Sequence, residues 1–138
     1  MRQAILDLLV HVTSAQQVDA GAAGAATMLM FTGEAEGPLF RGTVAPGGVD
    51  TQTVNAAGVR HMSARYILRG VALPPLEERP CAIFVENEAW FSVEGSPFRT
   101  VPRFLCDHPQ LAQRLQGSIV GEGSEEADGL HIRFYQAE

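Results

Sequence analysis

The sequence contains no lysine. Its basic residues are ten arginines, set against sixteen Asp and Glu, for a net charge of −6. That balance argues against nucleic acid and anionic membrane as main partners, because phosphate recognition needs clustered cations. Cysteine is scarce too: Cys81 and Cys106 stand in the apolar contexts PCAIF and FLCD, with no CxxC pair and no Cys/His zinc spacing. Buried, reduced thiols are expected rather than a disulfide. Long hydrophobic runs are missing. The N-terminal AILDLLVHV is interrupted by Asp7 and has no signal-peptide cleavage pattern, so a cytoplasmic location is expected. The Pro-Gly-Gly at residues 46–48 has no helix after it and no lysine to assist it, which leaves a turn rather than a phosphate cradle. Ser92, Ser96 and Ser118 lack the strand-turn-helix elbow of a nucleophilic serine, so covalent hydrolase chemistry is not expected.

What is present is a globular composition and a repeated short alternation. With 138 residues, 46% hydrophobic and 19% charged, the chain fits one domain spanning 1–138 with a single sizeable core. Alternating runs are separated by Gly, Pro and acidic turns, as in an all-β sandwich or barrel. AILDLLVHV, TMLMFTG, LFRGTVAP, VRHMSARYILRG, CAIFVENEAWFSV, GSIVGEG and LHIRFYQA read as strands. SAQQVDAGAAGAA reads as a loop, VALPPLEERP as a connector, and Glu86-Asn87-Glu88 as a possible hairpin turn. One short helix is expected near residues 108–116. Asp107 would be its N-cap, Pro109 lies in its first turn and Gly117 is its stop, which leaves His108 exposed. With about eight strands or more, a closed or nearly closed antiparallel barrel is favoured, because closure removes exposed edges.

The stretch APGGVDTQTV places Asp50 and Gln52 on one strand face, an odd choice for a strand that feeds a core. Either the face is solvated or polar groups are aimed into a cavity. On VRHMSARYILRG, Arg60, Met62, Ala64, Tyr66 and Leu68 share one face, and His61, Ser63, Arg65, Ile67 and Arg69 the other. Arg65 and Tyr66 therefore enter one lumen together only across a bulge, and the inward face stays open at this stage. An Asp50–Arg65 pair would hold both groups ionised with spare donors and acceptors. The Tyr66 hydroxyl would donate to a carbonyl, and His61 is a candidate base near neutral pH. The histidines show no metal spacing, so no metal is expected.

Three stretches resemble one family: FTGEAEGPLFRGTVAPGGVDTQTV, ARYILRG, and PFRTVPRF…GSIVGEG…DGLHIRFYQ. They are similar, in order and spacing over about residues 28 to 136, to the domain-of-unknown-function 3237 family. The resemblance implies a small β-barrel of calycin-like or allene-oxide-cyclase-like shape. It places the family's polar motif residues at Asp50, Gln52, Arg65, Tyr66 and Arg99. Thr51, Ser63, Glu86 and Ala89 depart from the pattern and alter cavity volume and local charge. The resulting expectation is a barrel binding a carbonyl- or carboxylate-bearing small molecule, and possible chemistry is a cofactor-free isomerisation, cyclisation or lyase step. Asp50, Tyr66 and His61 are the candidate catalytic residues; Gln52, Arg65, Arg99 and Glu86 are the candidate ligand contacts. A non-catalytic carrier or sensor is the alternative, as is a homodimeric interaction protein with a filled barrel.

Overall fold

Period-two burial marks the strands Arg60–Ala72, Pro80–Phe91 and Ile119–Glu126 of the computed structural model, which describes residues 2–91 and 98–137. In chain order the strands are β1 (Leu6–Asp19), β2 (Ala25–Glu36), β3 (Phe40–Val44), β4 (Val49–Val54) and β5 (Arg60–Ala72). After them come β6 (Pro80–Phe91), β7 (Phe98–Cys106), the helix α1 (Pro109–Arg114), β8 (Ile119–Glu126) and β9 (Gly129–Gln136). Ser92 and Ser96 lie outside the described residues. The strands pair antiparallel in the order β1–β9–β8–β7–β6–β5–β3–β2, and β2 returns to β1, which closes an eight-stranded barrel with β4 as an extra strand.

The extra strand explains the Pro-Gly-Gly. Both β3 and β4 pair with β2 on one side and β5 on the other, so they are two halves of one wall strand and not a hairpin. Val44 lies opposite Leu68 and Val49 opposite Arg65, so five steps along this strand face three along β5. The expected turn is present at Pro46 and Gly47, and within this wall strand it acts as a bulge of two extra residues. An even insertion preserves which face points inward, so Phe40 and Val44 on β3 share the inner face with Asp50 and Gln52 on β4. Glycine is required at both bulge positions: Gly47 takes φ +105°, and a Cβ on Gly48 would lie 2.9 Å from Val44 Cγ1. The backbone stays satisfied, with Ala45 N donating to Ile67 O at 2.8 Å and Phe31 N to Gly48 O at 3.1 Å.

Four local expectations are corrected. SAQQVDAGAAGAA is not a loop: β1 runs to Asp19, a 3-10 turn covers Gly21–Ala23, and β2 begins at Ala25. Most of this arm is exposed on both faces, so backbone pairing from Ser14–Met30 to Asp19–Ala25 forms it without any hydrophobic alternation. Glu86-Asn87-Glu88 is no turn; β6 continues through it because Cys81, Ile83, Val85, Asn87 and Ala89 keep period-two burial. The N-cap of α1 is His108, whose Nδ1 accepts from Leu111 N at 3.4 Å, while Asp107 Oδ1 instead accepts from Ala82 N. His108 is thus fully buried rather than exposed, with Nε2 donating to Glu77 O at 2.8 Å.

The barrel interior divides into a filled end and a hollow end. The filled end packs Leu6, Phe40, Leu68, Ile83 and Phe134, with Leu111 and Leu115 of α1 closing it. Burying each such side chain contributes about 1.5–3 kcal/mol. Cys81 and Cys106 remain free thiols here, and burial pushes Cys81 up to about 11. No helix among the described residues is long and apolar enough to cross a membrane.

Candidate functional site

The hollow end holds a cavity of about 680 Å³. Its walls are largely apolar, with Leu8, Val10, Leu29, Phe31, Phe98 and Ile132 prominent. A Cβ on Gly123 would lie 2.3 Å from the Phe98 ring, so glycine on β8 makes the room that this ring occupies. Against this apolar lining stands a polar pole carried by β4, β5 and β6. In cross-strand register, Asp50 lies opposite Ala64, and Ala64 opposite Asn87. The small Ala64 leaves an open lane between two polar side chains whose backbones are two strand spacings, roughly 10 Å, apart. Gln52 lies one inward position along β4, opposite Met62, and Tyr66 one inward position along β5.

A directed chain of hydrogen bonds orients this pole. Arg60 Nη1 donates to Gln52 Oε1 at 2.9 Å, which turns the amide so that Gln52 Nε2 donates to Asp50 Oδ2 at 2.9 Å. The other carboxyl oxygen, Asp50 Oδ1, is buried with no hydrogen-bond partner, and so are the Tyr66 hydroxyl and Asn87 Oδ1. Tyr66 and Asn87 are 4% and 2% exposed. Burial raises Asp50 above the usual carboxylate range, against a smaller opposing effect of the Gln52 hydrogen bond. Burial likewise raises Tyr66, and the Asp50 charge adds to it. The arrangement is able to give and take a proton at Asp50 Oδ1 and to donate a hydrogen bond from Tyr66.

Strand parity sorts the sequence-derived candidates. Asp50, Gln52 and Tyr66 line the cavity together. Arg65, His61, Glu86 and Arg99 do not, because each occupies the alternate, outward position on its strand. The Arg65 side chain is 61% exposed and pairs with Glu86 at 3.0 Å, and Glu86 also accepts from Arg103. An Asp50–Arg65 pair is therefore not formed. His61 stacks on Trp90 with ring centroids 4.4 Å apart and lies 3.9 Å from Glu88. Arg99 is exposed, opposite Glu122 of β8. Three polar cavity residues escaped the sequence reading: Asn87, Arg60 and Glu125. Asn87 was hidden by the turn-like Glu-Asn-Glu, although its period-two spacing from Val85 and Ala89 signals it. Arg60 shares the Met62/Tyr66 face, yet its grip on Gln52 depends on pairing between β4 and β5.

His131 shows how a histidine is used on the outer surface. Its Nδ1 donates to Asp7 Oδ1 at 2.7 Å and its Nε2 faces Asp128 Oδ1 at 2.8 Å. Glu126, Asp128 and His131 approach one another closely, but Arg133 already binds both Asp7 and Glu126.

Fold and site together define an antiparallel β-barrel with an apolar cavity at one end and a buried acid–amide–phenol pole. The family described as protein of unknown function (DUF3237) matches residues 3–137, and the chain belongs to it. A UPF0311 protein of Clostridium acetobutylicum is 27% identical over 122 residues, covering 78% of this chain and 73% of that protein. The crystal structure of a protein of unknown function from Clostridium acetobutylicum superposes with a TM-score of 0.79 at 24% identity, covering 100% of this chain and 99% of the other. An enzyme from Penicillium herquei superposes with a TM-score of 0.74 at 18% identity, covering 99% and 92%. At these identities the structural likeness establishes the fold.

Proposed function

We propose that the cavity binds a small, partly apolar molecule and that Asp50 exchanges a proton with it. The observation that carries this reading is the set of three buried polar atoms without partners, Asp50 Oδ1, Tyr66 Oη and Asn87 Oδ1, on residues lining one cavity. More than nine in ten buried polar groups in proteins are hydrogen-bonded, so three unpaired atoms on residues of one cavity support a ligand that pairs with them. Asp50 acts as base, or as acid when protonated, while Tyr66 donates to an oxygen on which charge develops. Isomerisation, cyclisation or elimination follows from proton transfer of this kind without a cofactor. The likeness to an enzyme of the same fold favours catalysis over storage. The carboxylate expected on the ligand loses its support, since Arg65 and Arg99 lie outside the cavity.

The test is incubation of wild type and Asp50→Asn with a metabolite extract, followed by mass spectrometry of bound and converted species. Conversion by wild type, absent in Asp50→Asn with binding retained, is the expected result. Binding by both with no conversion assigns a carrier. If neither binds, the cavity reading fails.

A homodimer remains a second proposal. Val101 and Leu105 of β7 are 66% and 71% exposed, and β1 has no β9 partner beyond Val10, which supports association through an outer face or edge. Sedimentation velocity decides it: a single species at monomer mass removes the proposal.

A further inference from the structure

We infer that the ligand of this cavity is an uncharged molecule that brings a hydroxyl or N–H donor to the polar pole, and this rests on the binding reading above. The lining is short of donors. Asn87 Oδ1 is an acceptor without a donor, and so is Asp50 Oδ1 whenever the carboxyl is ionised. Tyr66 offers one O–H and also accepts. A ligand hydroxyl satisfies such a pole because it donates to Asn87 or Asp50 while accepting from Tyr66. A ketone or ether satisfies Tyr66 alone and leaves the buried acceptors unpaired, an uncompensated loss of hydration.

Charge excludes the ionic alternatives. Three ionisable side chains other than Tyr66 line the cavity: Asp50, Glu125 and Arg60. Carboxyls outnumber guanidinium there, and the guanidinium donates into the chain Arg60–Gln52–Asp50. A carboxylate ligand would approach two acidic side chains and pull Arg60 away from Gln52, releasing the amide that orients Asp50. An ammonium carries donors but no acceptor, so it gives the Tyr66 O–H nothing to donate to. The remaining walls, Leu8, Val10, Leu29, Phe31, Met62 and Ile132, suit a hydrocarbon frame.

The inference is tested by calorimetry with four probes of one shape: 2-naphthol, naphthalene, 2-naphthoate and protonated 2-naphthylmethylamine. The expected result is that 2-naphthol binds at least tenfold more tightly than each of the others. That advantage should fall at least threefold in Asn87→Leu or in Tyr66→Phe, with folding of each variant checked by its melting temperature. Two variants are used because Asn87 is buried and its replacement risks the fold. Equal or tighter binding of the naphthoate or the amine overturns the inference. Equal binding of naphthalene overturns it as well, yet leaves the cavity reading standing. A naphthol advantage that survives both variants places the probe elsewhere and also overturns it. Failure of all four probes to bind counts against the cavity reading itself.

Discussion

On the outer surface of β1, β8 and β9, Asp7 accepts from His131 and Arg133, Arg133 also binds Glu126, and Asp128 faces the second His131 nitrogen. On the inner surface of β4 and β5, Asp50 accepts from Gln52 and Gln52 from Arg60, while Asp50 Oδ1 has no protein partner. Both clusters use carboxylates and arginine on neighbouring strands, yet their protonation equilibria move in opposite directions. Outside, Arg133 and Ser124 hold Glu126 down to about 2, and Asp7 raises His131, so both charged forms are favoured. Inside, burial raises Asp50 and Tyr66, so the neutral forms are favoured. The outer cluster ties strands together. The inner one leaves buried polar atoms without protein partners on residues that line the cavity, the feature on which the proposed site rests.

The largest way to break this contrast is Asp50→Asn. The amide keeps the shape and still accepts from Gln52, but it exchanges no proton, so turnover of whatever substrate is found should fall about 100-fold or more. Stability should move the other way. Because the folded state raises this carboxyl, ionising Asp50 costs folding free energy, and the cost grows as pH rises through its folded pKa. The variant should therefore melt higher than wild type at pH 7, with the gain gone near pH 3, where the carboxyl is protonated in both states. Thermal melts at both pH values check this. An Asp50→Asn variant that melts lower at pH 7 would make Asp50 a structural residue like Asp7.

Next comes Arg133→Met. It leaves the carboxylates of Asp7 and Glu126 without the guanidinium between them, although the long apolar stem is kept. A drop of about 3 °C in melting temperature is expected, with ligand binding unchanged and the loss smaller in 1 M salt. Loss of binding with unchanged melting would reverse the assignment of the two clusters.

How far the sequence foretold this contrast depends on parity. The all-β class was legible because alternation is a local property. Asp50 and Gln52 share a face by spacing alone, but whether that face is inner depends on the two-residue bulge, whose even length only the pairing of β3 and β4 with β5 reveals. The same register separates Tyr66 from Arg65, a choice the strand's mixed residues left open. Asn87 was obscured because Glu-Asn-Glu carries turn chemistry, and tertiary pairing with Ser63–Arg65 overrode it. The end of β1 from Ser14 to Asp19 was illegible because residues exposed on both faces carry no burial alternation.

A smaller effect should come from His131→Gln. Asp7 raises the folded pKa of this histidine, so its contribution to stability is fully present below its unfolded value near 6.5. It is lost as pH rises through the folded value. Wild type should exceed the variant in melting temperature at pH 5.5, and the difference should shrink steadily toward pH 9. A difference independent of pH would mean that packing of the ring, not its charge, is what β9 uses.

The smallest effect sharpens the comparison most, because it tests the parity argument directly. Arg65 looks like a ligand anchor by motif, but its side chain is 61% exposed and its partner Glu86 has a second arginine, Arg103. An exposed ion pair is worth about 0–1 kcal/mol, and here Arg103 retains the partner when Arg65 is removed. Arg65→Ala should therefore shift the melting temperature by less than about 2 °C and leave 2-naphthol affinity within twofold of wild type. Its inward neighbour differs by one position along β5: Tyr66→Phe should barely change stability, since the lost hydroxyl has no partner, yet should weaken naphthol several-fold. If Arg65→Ala weakens the probe as much as Tyr66→Phe does, the inner face of β5 is not what recognises the ligand, and the contrast between the two surfaces of this wall does not hold.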